Sequence, residues 1–97
     1  MNLEFDLAAR LEFHGAADWY ESREQGLGLM FVAEVEETLR LIQQAPDRWR
    51  CIEEDVRRCL VKRFPYAVLY TIESDCILIL AVMHFSRKPG YWKRRRK

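Results

Sequence analysis

Four side chains in the last third of the chain are suited to work on a phosphate: Arg63, His84, Arg87 and Tyr91. Cutting a ribose–phosphate backbone without a metal sets three requirements. The 2′-hydroxyl must lose a proton, the phosphate's growing charge must be neutralised, and the departing 5′-oxygen must gain a proton. Arginine or lysine meets the second need, and histidine, glutamate, lysine or tyrosine can meet the others. Arg63 stands just before one apolar run, His84 ends another, and Arg87 and Tyr91 follow within seven positions. Around them lie Arg57, Arg58, Lys62, Lys88, Lys93 and Arg94, with Phe85, Tyr91 and Trp92 interleaved. Cations release counterions from phosphates and exposed rings stack on bases, so this set suits a polyanionic target. Plainer roles are open to the same residues. His84 can cap a strand end, Tyr91-Trp92 can latch the tail onto a sheet, and Arg57, Arg58, Lys62 and Arg63 can form the wet side of an edge strand. The run Lys93 to Lys97 reads as a solvated terminus that also attracts nucleic acid.

The charge distribution sharpens this picture. The formal net charge is +1, yet residues 1–56 hold thirteen acids and five bases, while residues 57–97 hold two acids and eleven bases. Seven of those bases fall in the last eleven positions, with no acid among them. Solubility alone does not require such segregation, which points to an anionic partner for the second half. The acids of the first half read as a solvated helix face.

Length and composition limit the rest. Ninety-seven residues make one domain, 1–97, and 49% apolar with 32% charged residues is ordinary globular composition. The longest apolar run, Cys76 to Met83, has eight residues, against about 20 for a membrane span. Glu4 and Asp6 stand where an export signal wants positive charge. A soluble, cytoplasmic chain is expected. Cys51, Cys59 and Cys76 form no Cys-x-x-Cys pair, and His14 and His84 do not fall at ligand spacing beside them. Reduced thiols, no metal and no cofactor are therefore expected, with His14 on the surface.

The elements that position the four residues follow from periodicity. Leu3, Phe5 and Leu7 alternate with Asn2, Glu4 and Asp6, which predicts a short strand. Ala9, Phe13, Ala16 and Tyr20 share one helical stripe, and Leu27, Phe31, Val35, Leu39 and Ile42 share another. Gly26 and Gly28 lie between them, fit for the left-handed end of the first helix, and Pro46 lies past the second. From residue 56 the pattern turns to strands: Val56 to Arg63, Tyr66 to Ile72 after a Phe64-Pro65 break, and Cys76 to Met83 after a Ser74-Asp75 turn. The unbroken apolarity of the last strand predicts burial on both faces and a central place. The expected fold is α+β: an N-terminal strand and a helical hairpin packed on a mainly antiparallel sheet, β-α-α-β-β-β, with a basic C-terminal tail.

This order carries a resemblance. Trp19-Tyr20-Glu21, Leu27-Gly28, Val56-Arg57-Arg58, Arg63-Phe64-Pro65-Tyr66, Tyr70, the run Ile77 to Val82, His84, Arg87, Pro89 and Tyr91-Trp92 together resemble the RelE/ParE toxin superfamily over nearly the whole chain. The resemblance implies the growth-arresting half of a type II toxin–antitoxin pair, held inactive by a cognate antitoxin protein. RelE-like members cleave messenger RNA in the ribosome, whereas ParE-like members inhibit DNA gyrase and are not nucleases. On the RelE-like reading, Arg63 and Arg87 stabilise the phosphate and Tyr91 or His84 moves the proton, without metal. Arg57, Arg58, Lys62, Lys88, Trp92, Lys93 and Arg94 then contact the target. These stations tilt the expectation toward ribosome-dependent RNA cleavage. The Phe64-Pro65-Tyr66 segment, common among ParE-like members, supports gyrase inhibition as the alternative, and an inactive nucleic-acid-binding relative is the third.

Overall fold

In the computed structural model, which describes residues 1–96, the opening alternation forms β1 (Asn2–Phe5), with Leu3 and Phe5 turned into the core. Asp6 then stops the strand and starts a helix. Its carboxylate accepts from the Ala8 N–H at 2.9 Å, satisfying one of the amides that every helix start leaves open. Helix α1 (Leu7–Arg23) directs Ala9, Phe13, Ala16 and Tyr20 inward, as their spacing predicts. Leu7, Leu11 and Trp19 remain exposed on its other side.

The glycines act one step later than the sequence suggested. Gly26, at φ +89°, opens α2 (Leu27–Gln44) rather than closing α1. The Glu21 carboxylate reaches back to accept from the Gly26 and Gly28 N–H groups at 2.8 and 2.9 Å, supplying the cap that Gly26 cannot. A Cβ on Gly28 would stand 2.5 Å from the Ala17 carbonyl oxygen, so only glycine lets the two helices approach this closely. The α2 stripe of Phe31, Val35, Leu39 and Ile42 is buried throughout.

Four further strands follow: β2 (Cys51–Glu53), β3 (Val56–Leu60), β4 (Tyr66–Ile72) and β5 (Cys76–His84), in the sheet order β1-β5-β4-β3-β2. β1 runs parallel to β5 and the remaining pairs are antiparallel. The sheet is thus mixed and mainly antiparallel, on an α+β plan, and β5 holds the interior place its apolarity predicts. Two details differ from the expectation. β2 is an added edge strand of three exposed residues with no alternation to betray it; it exists because Cys51 pairs opposite Arg57. The strand expected to reach Arg63 stops at Leu60, because the chain must turn to seat Phe64 between the helices. The Phe64 ring lies 4.9 Å from Tyr20 and 5.1 Å from Phe31, centroid to centroid, both edge-on.

The sheet has two buried faces. The inner face sets Val68, Tyr70, Ile77, Ile79 and Val82 against the helices. The outer face gathers Val56, Ala67, Leu69, Leu80 and Ala81, and the tail covers it by inserting Trp92, which is 4% exposed. Tight turns carry the chain there: Arg87 N–H to His84 C=O, Tyr91 N–H to Lys88 C=O and Lys93 N–H to Gly90 C=O, ending in a 3-10 turn over Lys93–Arg95. The tail is therefore not the solvated run expected from its composition. Lys93 pairs with Glu53 at 3.0 Å, Arg95 is half-buried and paired with Glu12, and Arg96 pairs with Asp55, while Lys97 lies outside the described residues. Among the described residues no helix is long and apolar enough to cross a membrane.

Candidate functional site

β1 stops pairing with β5 at Ile79, and the chain turns away into α1. The next ladder positions on that side of β5, the Leu80 carbonyl and the Val82 N–H, are left without a strand. Two side chains fill them. The Arg95 guanidinium donates to the Leu80 carbonyl at 2.9 Å, and the Glu12 carboxylate accepts from the Val82 N–H at 3.0 Å. Arg95 and Glu12 are themselves joined by two hydrogen bonds of 2.8 and 3.1 Å. A carboxylate only 14% exposed incurs a desolvation cost of several kcal/mol, which holds only if opposite charge and donors surround it. Glu12 has both.

Tyr91 and Arg87 join the same carboxylate. The Tyr91 hydroxyl donates to it at 2.5 Å, and the Arg87 guanidinium stands 3.9 Å away. Two cations lie over the Tyr91 ring, Arg87 at 3.9 Å and Arg95 at 5.0 Å from its centroid. Burial, and after it the hydrogen bond to Glu12, pushes the Tyr91 phenol well above the ordinary tyrosine range. The hydrogen bond to Glu12 holds the Arg95 guanidinium even more firmly protonated than usual. This arrangement fixes guanidinium groups in direction. The Tyr91 proton is shared with an internal acceptor.

The other expected residues fall elsewhere. Arg63 sits in the turn between β3 and β4 at φ +70°, 71% exposed at its side chain, and lies 3.5 Å from Glu34 on α2. It therefore pairs with the second helix, while Arg87 and Tyr91 pair with the first. His84 ends β5 opposite Tyr66; its Nδ1 accepts from the Ser86 N–H at 2.9 Å and its ring meets Tyr66 edge-on at 5.0 Å. Arg57 is half-buried and donates to the Asp47 and Trp49 carbonyls at 3.2 and 2.6 Å, tying down the loop before β2. Trp92 is buried and Lys93 is ion-paired, whereas Arg58, Lys62, Lys88 and Arg94 are exposed.

Two hollows meet at Arg87. One, of about 300 Å³, lies against α1 and includes Leu11, Ala16, Trp19, Tyr66 and His84. The other, of about 310 Å³, opens on the outer face and includes Arg58, Met83, Phe85, Pro89 and Trp92. Among the described residues no group of three or more His, Cys, Asp or Glu side chains comes together to hold a metal ion.

Sequence reasoning missed Glu12 and Arg95. For Glu12 a signal existed. It lies three residues after Ala9 and four before Ala16, on the inward stripe of α1, where a carboxylate demands a buried counter-charge. Nothing in the run Lys93 to Lys97 singled out Arg95 as the cation that answers it.

The fold and this tail-locked site define a small α+β domain of a type shared with known proteins. A family model for the ParE toxin of type II toxin–antitoxin systems, parDE, matches residues 3–89. The chain belongs to the ParE toxin family. The fold is also that of a chain solved in a chromosomal ParDE TA system from P. aeruginosa, with a TM-score of 0.74 and 20% identity over 87% of this chain and 95% of that one. No curated protein matches the chain. Family membership implies a cognate antitoxin as partner.

Proposed function

We propose that this toxin arrests growth by binding and inhibiting DNA gyrase, without cleaving RNA. One observation carries the choice: Tyr91 donates to Glu12, and Arg87 and Arg95 lie against the same carboxylate. Metal-free RNA cleavage needs a proton-handling group and its cations turned toward the phosphate. Here Tyr91 and Arg95 bond to an internal anion that a phosphate would have to displace, while Arg87 stands 3.9 Å from it with half of its side chain in solvent. Arg63, the other expected phosphate ligand, is paired with α2. An inhibitor that acts by docking needs no proton transfer, only a shaped surface with cations aimed outward, and Arg58, Arg87, Lys88 and Arg94 are exposed in that manner. Membership of the ParE family, in the company of the Phe64-Pro65-Tyr66 turn, supports the same reading.

The test is a supercoiling assay with purified gyrase alongside a translation reaction in which messenger integrity is followed. Inhibited supercoiling with intact messenger is the expected pair of results. Cut messenger with unaffected supercoiling would reverse the assignment in favour of RNA cleavage.

A further inference from the structure

Arg87 is the one member of the Arg87–Tyr91–Arg95 stack that stays half exposed, at 51% of its side chain, and it lines both hollows described above. Its backbone N–H bonds to His84, and the residues that follow form turns. Among the described residues the guanidinium meets the Tyr91 ring at 3.9 Å from its centroid and the Glu12 carboxylate at 3.9 Å. The ring, in turn, packs on the outer-face cluster, and its hydroxyl bonds to Glu12. Two guanidinium groups close to one ring repel each other, and an anion within reach of both offsets that repulsion. Glu12 is that anion: it binds Arg95 directly and stands beside Arg87.

We infer that Glu12 is a positioning residue, whose charge aims Arg87 out of the tail toward the target. It acts through the stack and touches no target itself, since it lies beneath Tyr91 and Arg95. The arrangement joins α1 to the tail across 79 residues of chain, so an element far from the tail in sequence sets the direction of its exposed cation. The inference deepens the proposed function, because the cation it aims is the one that docking would use.

Two substitutions separate positioning from mere support. Glu12→Gln keeps the size and one acceptor oxygen but removes the charge. Arg95→Met breaks the strut to Leu80 while leaving Glu12 free to hold Arg87 and Tyr91. Both lower stability, so urea midpoints match them as controls. The readouts are the nuclear Overhauser contact between the Arg87 side chain and the Tyr91 ring, and growth arrest on induction at verified soluble expression. Arg95→Met is expected to keep the contact and the arrest. Glu12→Gln is expected to lose the contact and to need roughly tenfold more toxin for the same arrest.

A contact and arrest that survive Glu12→Gln, or equal losses in the two variants, would overturn the inference. Should Glu12→Gln fail to fold, Glu12→Asp, which keeps the charge and withdraws it by one methylene, takes its place. It must then weaken the contact and the arrest together, and an unchanged pair counts against the inference. Supercoiling run in parallel keeps the two proposals apart. If the parent chain arrests growth and leaves gyrase untouched, the gyrase target falls while Glu12 is still judged by the same contact and growth readings.

Discussion

The Tyr91 hydroxyl donates to the Glu12 carboxylate at 2.5 Å, joining residues 79 positions apart. That bond turns the most nuclease-like side chain of the tail into part of a fastening. It also brings three basic or phenolic groups of the tail onto one acid of the first helix, against the charge asymmetry between the two halves of the sequence.

Tyr91→Phe provides the first prediction. The ring keeps its packing on the outer-face cluster, while Glu12 loses one donor and keeps Arg95 and the Val82 N–H. Loss of a hydrogen bond to a charged acceptor is expected to cost about 1.5 to 3 kcal/mol of stability by urea unfolding. Growth arrest is expected to persist. Arrest abolished in a variant that is folded at the assay temperature would restore Tyr91 to a chemical role.

Trp92→Ala tests the tail as a cover for the outer sheet face. Trp92 fills the space over Val56, Leu69 and Leu80, and its removal leaves a cavity the short tail cannot close. A loss of about 3 to 5 kcal/mol is expected. Amide exchange at Arg87 to Arg96 should accelerate far more than at Phe31 or Val35 in α2, which pack on the other face. Uniform acceleration across both faces would contradict a separable tail.

Gly15 and Gly28, one in each helix of the hairpin, predict opposite signs. Gly15 lies in the exposed interior of α1 with nothing within 4 Å of an added Cβ, so Gly15→Ala is expected to stabilise by about 0.5 to 1 kcal/mol through helix propensity. Gly28→Ala places its methyl 2.5 Å from the Ala17 carbonyl and 2.9 Å from Glu21. Prising the helices apart is expected to cost about 1 to 3 kcal/mol. Thermal melts of the two variants check the pair, and a stabilising Gly28→Ala would mean the hairpin is not as close as described.

Alkaline pH should weaken the fold in a defined window. Burial raises the Cys59 thiol from 9.0 to about 11 and the Tyr70 phenol from 10.0 to about 12. Each folded value lies above its unfolded one, so the stabilisation is complete below pH 9 for the thiol and pH 10 for the phenol, and is lost as pH rises through 11 and 12. Urea midpoints are expected to hold up to about pH 9 and then fall with increasing slope. At pH 8 a thiol reagent should react quickly with the exposed Cys51 and slowly with the buried Cys59 and Cys76. Equal rates at all three would contradict the burial of the latter two.

Much of this architecture was legible before any coordinates, for local reasons. The inward residues of α1 and α2 recur at helical spacing, and the unbroken Cys76 to Met83 run suggested a strand covered on both sides. Those features depend on side-chain type and period alone, and the family likeness rested on the same ordered pieces. β2 was not legible, because three exposed residues without alternation become a strand only through pairing with β3. Nor was the early stop at Leu60, which follows from Phe64 seeking the aromatic rings of two helices.

The site divides in the same way. Sequence by itself determined that the tail is cationic and aromatic, and that Arg63, His84, Arg87 and Tyr91 lie at strand ends or beyond. Tertiary structure alone decided which of them meet. Arg63 went to Glu34, while Arg87 and Tyr91 went to Glu12, an acid no spacing rule connects to them. The physical reason is that a half-buried carboxylate takes whichever donors the packing of distant elements brings within about 3 Å. Here that packing depends on β1 ending one residue short of the Leu80 carbonyl, which leaves an edge for Glu12 and Arg95 to close.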